Sequence, residues 1–369
     1  MTIASPAPTA MLAPALASLI AGRRRVAVFT VVGLAFACIV LTLVAIGQGA
    51  IAIAPGRVAE ILMARLSGDT TLLEGRDVLV VLNIRLPRVL LGLLVGAALA
   101  VSGALMQGLF RNPLADPGLV GVSAGAGLAA AATIVLGDRF LTGMAMKLPF
   151  AVLPFGAFCG GLASTLALYL IATRQGRTSV ASMLLAGVAL GALAGALTGL
   201  LAYISDDRQL RDLTFWSLGS LGGASWTKLA AVAPIVLPLL LAMPFLARGL
   251  NGLMLGEAEA YHLGIPVQRI KAMAIVLVAL AVGASVASAG LIGFVGIVVP
   301  HLIRLAIGPD HRLLLPLSAL GGAILLVAAD IVARLIVAPS ELPIGIVTAA
   351  IGAPFFLWLL LRRSSALDV

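Results

Sequence analysis

Residues 88–110 read RVLLGLLVGAALAVSGALMQGLF, and no charged residue follows the opening arginine. A helix that crosses a membrane needs about 20 predominantly apolar residues, because the hydrocarbon core contains no water to satisfy an open backbone. This stretch therefore predicts a transmembrane helix. Similar runs recur between charged, proline and glycine breaks. We predict ten spans, near residues 26–48, 88–110, 118–137, 149–172, 181–203, 229–247, 271–288, 291–307, 314–335 and 344–361.

The composition of the whole chain indicates a polytopic membrane protein of the all-α class. Of its 369 residues, 61% are hydrophobic and 11% are charged, whereas an ordinary soluble domain carries about 25% charged residues. The 24 Lys and Arg residues outnumber the 15 Asp and Glu residues, but they lie at the ends of apolar runs, where they set topology. We therefore expect no nucleic-acid partner. Cys38 and Cys159 lie inside apolar runs and support neither a disulfide framework nor a metal cluster.

The chain is predicted to begin with a cytoplasmic tail, residues 1–25, which is disordered or lies on the membrane surface. A single transmembrane domain follows, residues 26–369. In the tail an apolar patch precedes the arginines, an order that does not fit a secretory signal. The connection Gln48–Pro87 is long enough to form helices of its own. Ten spans place both termini on one side, and basic residues in short connections favour the cytoplasm for that side. These residues are Arg23 to Arg25, Arg174, Arg177, Arg362 and Arg363.

Residues 248–271, RGLNGLMLGEAEAYHLGIPVQRIK, form the longest polar interruption in the second half of the chain. Early acids, helix-forming alanines and Gly264 at a left-handed C-cap position predict a short helix over residues 255–264. This helix lies between two membrane spans, so no neighbouring element of the chain is expected to cover its apolar face, which includes Leu255 and Ala258. Two interpretations stand: a docking element for a soluble partner, or a surface helix that lies on lipid headgroups.

Three arginines and one aspartate lie at or inside the predicted spans. Arg85 and Arg88 open the second span on one helical face directed outward, and Arg334 lies near the outer surface in the predicted topology. Arginine suits carboxylates, so these side chains are candidates for contact with an acidic partner, with snorkelling to the headgroups as the alternative. Asp330 lies four residues before Arg334, so the two can pair. Such a pair is equally consistent with a structural role and with a role in proton coupling.

Glycine is abundant, with 41 residues, and much of it lies within spans. Four glycines repeat at a spacing of four residues, which suits either close helix packing or a smooth wall along a substrate path. These four are Gly187, Gly191, Gly195 and Gly199. A short internal echo, GLVGV at residues 118–122 and GFVGI at residues 293–297, enters the membrane from opposite faces in the predicted topology. Inverted repeats share this arrangement.

The sequence carries no enzyme motif that we recognise. No lysine follows a glycine, which excludes a GxxxxGK[ST] phosphate-binding loop, and no HExxH occurs. The three histidines, His262, His301 and His311, lie in or beside predicted cytoplasmic segments, so we expect neither a metal site nor catalytic residues. A secondary transporter would need ion or proton sites inside the membrane, for which Asp330 is the sole candidate. A channel would conduct without any partner.

Several motifs, in order across residues 50–361, resemble the FecCD family of ABC importer permeases for iron siderophores, haem and vitamin B12. They are RLPR at 85–88, GALMQ at 103–107, NPLADPGLVGVS at 112–123, LLAGV at 184–188, LGE at 255–257 with LG at 263–264, GLIGFVGIVVPH at 290–301, DIVAR at 330–334 and ELPIG at 341–345. The resemblance implies an inverted-repeat type II ABC importer permease fold with ten transmembrane helices. It further implies a homodimer in the bacterial inner membrane that imports substrate by alternating access.

The resemblance also implies partners and residue roles. Two cytoplasmic ATPase subunits would use ATP and Mg²⁺, so this chain is expected to bind no cofactor itself, and a periplasmic protein would deliver the substrate. The expected ATPase-coupling residues, within the coupling segment 248–271, are Leu255, Gly256, Glu257, Ala260, Leu263 and Gly264. The residues expected to dock glutamates of the binding protein are Arg85, Arg88 and Arg334. The expected cytoplasmic gates are Asn112 with Leu114, and Ser179 with Val180 in a loop more apolar than in a vitamin B12 permease.

The connection after the fifth span, LRDLTFWSLGSLGG at residues 210–223, is similar to haem permeases of the family. Phe215 and Trp216 would contact the macrocycle, while Arg208 or Arg211 would steer its propionates. The alternative is that the aromatic residues anchor the chain at the membrane interface. The expected substrate path consists of Gly191, Gly195, Phe215 and Trp216. Haem is the expected cargo, with a ferric siderophore or vitamin B12 as the alternative, and selectivity is expected largely in the binding protein.

Overall fold

The computed structural model of the protein describes residues 8–49, 51–68, 74–140 and 152–364. In these ranges the α-helices are α1 (Pro8–Gly47), α2 (Pro55–Ser67), α3 (Arg76–Leu79), α4 (Leu86–Leu109), α5 (Val122–Phe140), α6 (Val152–Ala172), α7 (Val180–Tyr203), α8 (Asp207–Ser217), α9 (Trp226–Leu253), α10 (Glu257–His262), α11 (Val267–Ala289), α12 (Val295–Ile307), α13 (His311–Leu335) and α14 (Ile344–Ser364). A π-helical segment, Val80–Arg85, leads into α4, and a 3₁₀ turn, Pro117–Val120, precedes α5. A small antiparallel hairpin pairs Thr173–Arg174 with Arg177–Thr178.

The all-α, polytopic class predicted from the sequence is confirmed. Within the described residues, seven helices are long and apolar enough to cross a membrane. Three shorter apolar helices, Val122–Gly137, Val295–Ile307 and Ile344–Leu359, coincide with three more of the predicted spans. Each predicted span overlaps a helix, although residues 149–151 at the start of the fourth lie outside the described residues. The count of ten membrane crossings stays a prediction.

At the beginning of the chain, one helix continues across the predicted boundary between the tail and the first span, and its apolar span, Arg25–Gly47, begins close to that boundary. Helix α1 begins at Pro8 and continues to Gly47, so it includes residues 8–25 of the predicted tail. Residues 1–7 of that tail lie outside the part of the chain that the structure describes. The long connection before α4 contains α2 and α3, as its length predicts. Helix α2 is capped by Gly68, whose φ of 75° is left-handed, a common C-terminal conformation that glycine adopts without a steric penalty.

Helix α4 forms the centre of the bundle. Most of its residues are buried, from Pro87 through Leu109, and α9, α11, α12 and α13 pack around it. A helix that is apolar on every side is enclosed by other protein elements or by lipid. The near absence of polar side chains in residues 88–110 is therefore a consequence of this central position as much as of the membrane.

Glycines let α4 approach two of its neighbours closely. Gly96 lies against Gly322 of α13, and Gly103 lies against Gly296 of α12; a methyl group at Gly96, Gly103 or Gly322 would overlap backbone atoms of the opposite helix. In lipid, apolar burial gives helices no net reason to associate, so close van der Waals packing supplies the attraction. These contacts hold α12 and α13 on α4.

Helix α7 lies at the periphery of the bundle. Only Met183 and Ala194 of its residues are buried. Gly187 packs against the carbonyl oxygen of Leu119. At the other three glycines of the four-residue repeat, Gly191, Gly195 and Gly199, an added methyl group would meet no atom of another described element within 4 Å. Close packing within the chain therefore explains only the first glycine of the repeat.

The two copies of the internal echo occupy comparable positions. Each runs into the start of a helix and contains one residue with positive φ, although at different places in the motif: Gly121 at 78° is the fourth residue of the first copy, and Phe294 at 68° is the second residue of the second copy. The two segments also meet, because the position that a side chain would take on Gly296 is occupied by the ring of Pro117. The inverted-repeat organisation stays a prediction from the sequence.

We predict that Gly103→Ala destabilises the protein by about 3 kcal/mol, because the added methyl group overlaps the backbone of α12 and the two helices must separate. Thermal unfolding of the purified protein in detergent measures the effect. Gly33→Ala in α1 is the matched control, since Gly33 has open space around it among the described residues and alanine is the better helix former. Equal melting temperatures for the two variants would contradict the role of the glycine contact.

Candidate functional site

A cluster of charged side chains joins α4, α13 and the segment that precedes α14. Arg88 donates to Asp330 Oδ1 from Nε at 3.1 Å and from Nη2 at 2.9 Å. It also binds both carboxylate oxygens of Glu341, at 2.7 and 3.1 Å. Arg334 Nε lies 3.1 Å from Asp330 Oδ2, so the predicted pair Asp330–Arg334 is confirmed. We call Arg85, Arg88, Asp330, Arg334 and Glu341 the arginine cluster, and this end of the bundle the arginine end.

Two of these arginines bind the end of α1. Arg85 Nη1 donates to the carbonyl oxygens of Ile46 and Gly47 at 2.8 and 2.7 Å, and Nη2 donates to that of Ile51. Arg334 donates to the carbonyl oxygens of Ala45 and Gln48 at 3.1 and 2.9 Å. The last carbonyl groups of a helix have no partner within that helix, and cations near them are favourable. The arginine cluster therefore caps α1 and fixes it against α4 and α13.

These arginines are buried by their partners within the chain, whereas their predicted position near the outer side of the membrane stays a prediction. Arg85, Arg88 and Arg334 are only 5%, 8% and 6% exposed. Pro87 has no backbone N–H to donate, and the turn before it is π-helical. The π-helical segment ends at Arg85, so Arg85 and Arg88 remain three residues apart on α-helical backbone, as predicted. The roles of Arg88 in holding Asp330 and of Glu341 in the cluster were missed, because their partners are distant in sequence.

The opposite end of the bundle carries the predicted coupling segment. Helix α10 begins after Gly256, whose φ is 126°, and is followed by Gly264 at 76°, so the predicted left-handed glycine is confirmed. Ala260 is buried and packs towards Gly252. Four large apolar side chains of the segment are exposed: Met254 at 43%, Leu255 at 65%, Tyr261 at 74% and Leu263 at 64%. Gly256 is buried, whereas Glu257 and Gly264 are exposed. The helix therefore presents an apolar surface away from its own chain.

The predicted gate residues lie at this same end, in two separate elements. Asn112 is exposed in the turn after α4, where its Oδ1 accepts from the N–H of Leu114 at 3.0 Å. Ser179 is the N-cap of α7 and its Oγ accepts from the N–H of Ser182 at 3.3 Å. Val180 is half-buried as the first residue of α7. Both elements thus have side-chain-stabilised turns beside helix ends.

The predicted path residues lie along α7 and α8. Gly191 and Gly195 adjoin open space, and no residue of α7 is charged. In α8, which begins with an Asp206–Gln209 capping box, Phe215 is 58% exposed, while Trp216 is half-buried against the core. The structure therefore brings the small residues of α7 to the surface, and it leaves Phe215 more available than Trp216.

At the end of the bundle that carries α10, the structure contains a polar contact that was not predicted from the sequence. Asn251 Nδ2 donates to Asp310 Oδ1 at 2.6 Å, and Asn251 Oδ1 accepts from the N–H of His311 at 2.9 Å. Burial alone would raise the pKa of Asp310, but hydrogen bonds from the Arg312 N–H and from Asn251, with the charges of Arg312 and His311, lower that pKa overall. The contact joins the end of α9 to the start of α13. Nothing in residue spacing links these positions.

The described residues contain no group of three or more His, Cys, Asp or Glu side chains that could hold a metal ion. The arrangement instead combines a charged cluster at one end, an exposed short helix at the other, and a peripheral helix without charges. This architecture is that of a polytopic membrane protein that exposes a short helix at one end of its helix bundle.

The sequence profile of the FecCD transport family matches residues 34–362, and the chain belongs to this family. It is 50% identical over 290 residues to the hemin transport system permease protein HmuU of Yersinia pestis, covering 76% of this chain and 83% of that protein. It is 48% identical over 292 residues to the vitamin B12 import system permease protein BtuC of Salmonella paratyphi A, covering 79% and 86%. A cobalamin import system permease protein of Halobacterium salinarum is 46% identical over 281 residues, covering 76% and 73%.

The fold is also similar to a solved structure. A metal-chelate type ABC transporter in an inward-facing conformation superposes with a TM-score of 0.74 at 31% identity, covering 89% of this chain and 98% of that one. The protein is therefore a multi-span permease of an ABC importer, and it is not itself the ATPase. This class implies a separate ATPase, a substrate-binding partner and permease dimers, and it is consistent with the bacterial inner membrane.

We predict that Asp330→Asn destabilises the protein by about 3 kcal/mol, because two buried guanidinium groups lose their shared charge partner. Thermal unfolding in detergent measures the loss. Glu60→Gln is the control, because it breaks the exposed Arg57–Glu60 pair of α2, and exposed pairs contribute little. If Asp330→Asn melts like the control, the arginine cluster does not hold the helices together.

Proposed function

We propose that this permease moves haem into the cytoplasm by alternating access, at the centre of a homodimer driven by two ATPase subunits. The observation that carries the proposal is the exposed, uncharged face of α7 with Gly191 and Gly195, together with exposed Phe215 near its end. A flat, largely apolar macrocycle fits such a wall, and small residues leave room for it. The 50% identity to a hemin transport permease supports the same cargo.

Coupling to the ATPase is proposed for α10 and its flanking residues. Leu255 and Leu263 are exposed apolar side chains that flank α10, one on each side of this six-residue helix. Gly256 and Gly264 have positive φ, and Ala260 packs inward, so these residues shape the segment and leave its outer face free. Glu257 is half-exposed and bound to Lys271. An apolar groove on the ATPase would cover this face.

The proposed gates are Asn112 with Leu114, and Ser179 with Val180. They lie at the α10 end of the bundle, so movement of the ATPase could reach them over a short distance. Their capping hydrogen bonds are local, which lets each turn move as a unit. In this proposal both chain termini and the α10 end face the cytoplasm, and the arginine end faces the binding protein.

Docking of the binding protein is proposed at the arginine end, through the arginine cluster. Arg85 and Arg334 are committed to the end of α1, whereas Arg88 has a replaceable partner: Glu341, whose side chain is 44% exposed. Glu341 occupies on Arg88 the place that a glutamate of the binding protein would take. Docking would then replace the carboxylate of Glu341 on Arg88 with a carboxylate of the binding protein. Arg85 and Arg334 would meanwhile keep their hydrogen bonds to the end of α1 and hold it in place.

The cargo is tested by uptake into proteoliposomes that contain the permease with its ATPase, with ATP inside. Binding protein is loaded in turn with haem, a ferric siderophore and cobalamin. We predict ATP-dependent uptake of haem and not of the other two, because the uncharged wall of α7 offers nothing to the polar groups of a siderophore. A relative that is 48% identical is named for vitamin B12 import, which makes cobalamin the informative competitor.

Each alternative outcome has a distinct meaning. Uptake of cobalamin or a siderophore instead of haem would keep the importer and replace the cargo. Uptake that does not depend on ATP would contradict the ATPase-driven mechanism and favour a secondary transporter. A sealed vesicle with permease but without ATPase controls for leakage through a channel.

We predict that Glu341→Gln strengthens docking of the binding protein by about fivefold, because it removes the internal competitor for Arg88 and a like charge that repels an incoming glutamate. Binding to the full complex in nanodiscs, measured by biolayer interferometry, gives the dissociation constant. Asp212→Asn in exposed α8 removes the same charge at the arginine end and is the control. Unchanged or weaker docking of Glu341→Gln relative to this control would exclude Arg88 as a docking residue.

A further inference from the structure

Lys271 is the bulkiest fully buried side chain in the described residues, at 1% exposure. It lies in the first turns of α11, next to the coupling segment. Its Nζ donates to Glu257 Oε1 of α10 at 2.6 Å and to the carbonyl oxygen of Thr178 at 3.0 Å. A buried ammonium group is costly unless it is paired and hydrogen-bonded. Lys271 therefore binds two elements at once.

Thr178 is held from α11 by a second side chain. Its backbone N–H donates to Gln268 Oε1 at 3.0 Å, so Gln268 and Lys271 together bind both backbone groups of this residue. Thr178 ends the small hairpin, where its hydroxyl also lies 3.0 Å from that of Thr173. The next residue is Ser179, the N-cap of α7. The hairpin that leads into α7 is thus fastened to α11 at its last residue.

These contacts make a continuous chain from the surface of α10 to the start of α7. Glu257 lies on the short helix, Lys271 on α11 and Thr178 on the hairpin, and each joint is a hydrogen bond of 2.6 to 3.0 Å. Moving Glu257 away would leave the ammonium group of Lys271 without a carboxylate, which is unfavourable in a buried position. A displacement of α10 is therefore transmitted to Lys271 and from it to the hairpin.

A purely stabilising role accounts for this arrangement less well. A buried ion pair is weak evidence for stability, because desolvation offsets most of its attraction, and its best-attested use is to specify one arrangement over another. The neighbouring Arg269 is also positively charged but is exposed. Burial of the charged group is therefore particular to Lys271 in this turn. The only two elements that Lys271 contacts by hydrogen bond in the described residues are the coupling helix and the hairpin.

We propose that Lys271 and Gln268 are positioning residues that link the ATPase-facing helix α10 to the hairpin Thr173–Thr178, so that both move as one unit during the transport cycle. The proposal rests on the proposed coupling role of α10. It adds a specific connection from that helix to the element that precedes Ser179 and Val180. The linkage acts through geometry and charge and involves no contact with the substrate.

The experiment compares Lys271→Met with wild type in proteoliposomes that contain the full complex, with uptake and ATP hydrolysis measured together. Methionine keeps the length and the apolar stem but cannot bind Glu257 or Thr178. We expect the ATPase to co-purify and hydrolysis to continue, while substrate imported per ATP falls by about tenfold. Arg269→Gln is the matched control, two residues away and exposed, and is expected to behave as wild type.

Glu257→Gln guards against misfolding of the lysine variant, because Glu257 is half-exposed and the amide keeps a hydrogen-bond acceptor. If the two residues act through one linkage, Glu257→Gln also lowers substrate per ATP, and the double variant is no worse than Lys271→Met alone. Additive losses would overturn the proposal. So would a loss of hydrolysis and melting temperature in proportion to uptake, since that describes a structural role only.

A spin label at exposed Arg177 reports hairpin movement directly, in a background where Cys38 and Cys159 are replaced by serine. The label-to-label distance across the dimer is expected to change on ATP binding in wild type and in Arg269→Gln, and to stay constant in Lys271→Met. A distance change in Lys271→Met equal to wild type would overturn the linkage. If wild type itself shows no ATP-dependent uptake, the proposed function has failed, which is a separate outcome.

Discussion

The close approach of α13 and α12 to α4 is the contact on which the rest of the structure depends. At Gly96 and Gly103 the backbones meet with no room for a side chain, and in lipid this contact surface provides the attraction between helices. It also brings the start of α4 beside the end of α13. Without that juxtaposition, Arg88 could not reach Asp330, and the carboxylate that α4 shares with Arg334 of α13 would no longer join the two helices.

The two ends of the bundle use charge in different ways. At the arginine end, a cluster of five charged residues closes on itself and on the last carbonyls of α1, so that a helix loosely packed elsewhere is held at its terminus. At the α10 end, one buried ammonium group joins two elements that are not neighbours in sequence. The first arrangement favours rigidity. The second connects a surface helix to a hairpin through a side chain in the interior of the bundle.

Helix α7 has an apolar surface that no other described element of the same chain covers. Its small and apolar residues are exposed along most of its length, and only Gly187 of its repeated glycines packs closely against another described element of the chain. Of the two interpretations that the sequence allowed, close packing and a smooth wall, the structure supports packing at Gly187 alone. Gly191 and Gly195 remain open on the face proposed for the substrate. A permease dimer, which the family implies, would enclose such a face.

The sequence by itself determined the class of the protein, the place of each apolar helix and the family, because run length, breaks and short motifs are local properties of the chain. It also identified the pair Asp330–Arg334, since four residues on a helix share a face. Only the tertiary structure decided that Arg88 completes this pair, that Arg85 binds the last carbonyl groups of α1, and that Lys271 holds Thr178. These contacts join positions far apart in the chain, and the approach of helix backbones that creates them leaves no spacing signal in the sequence.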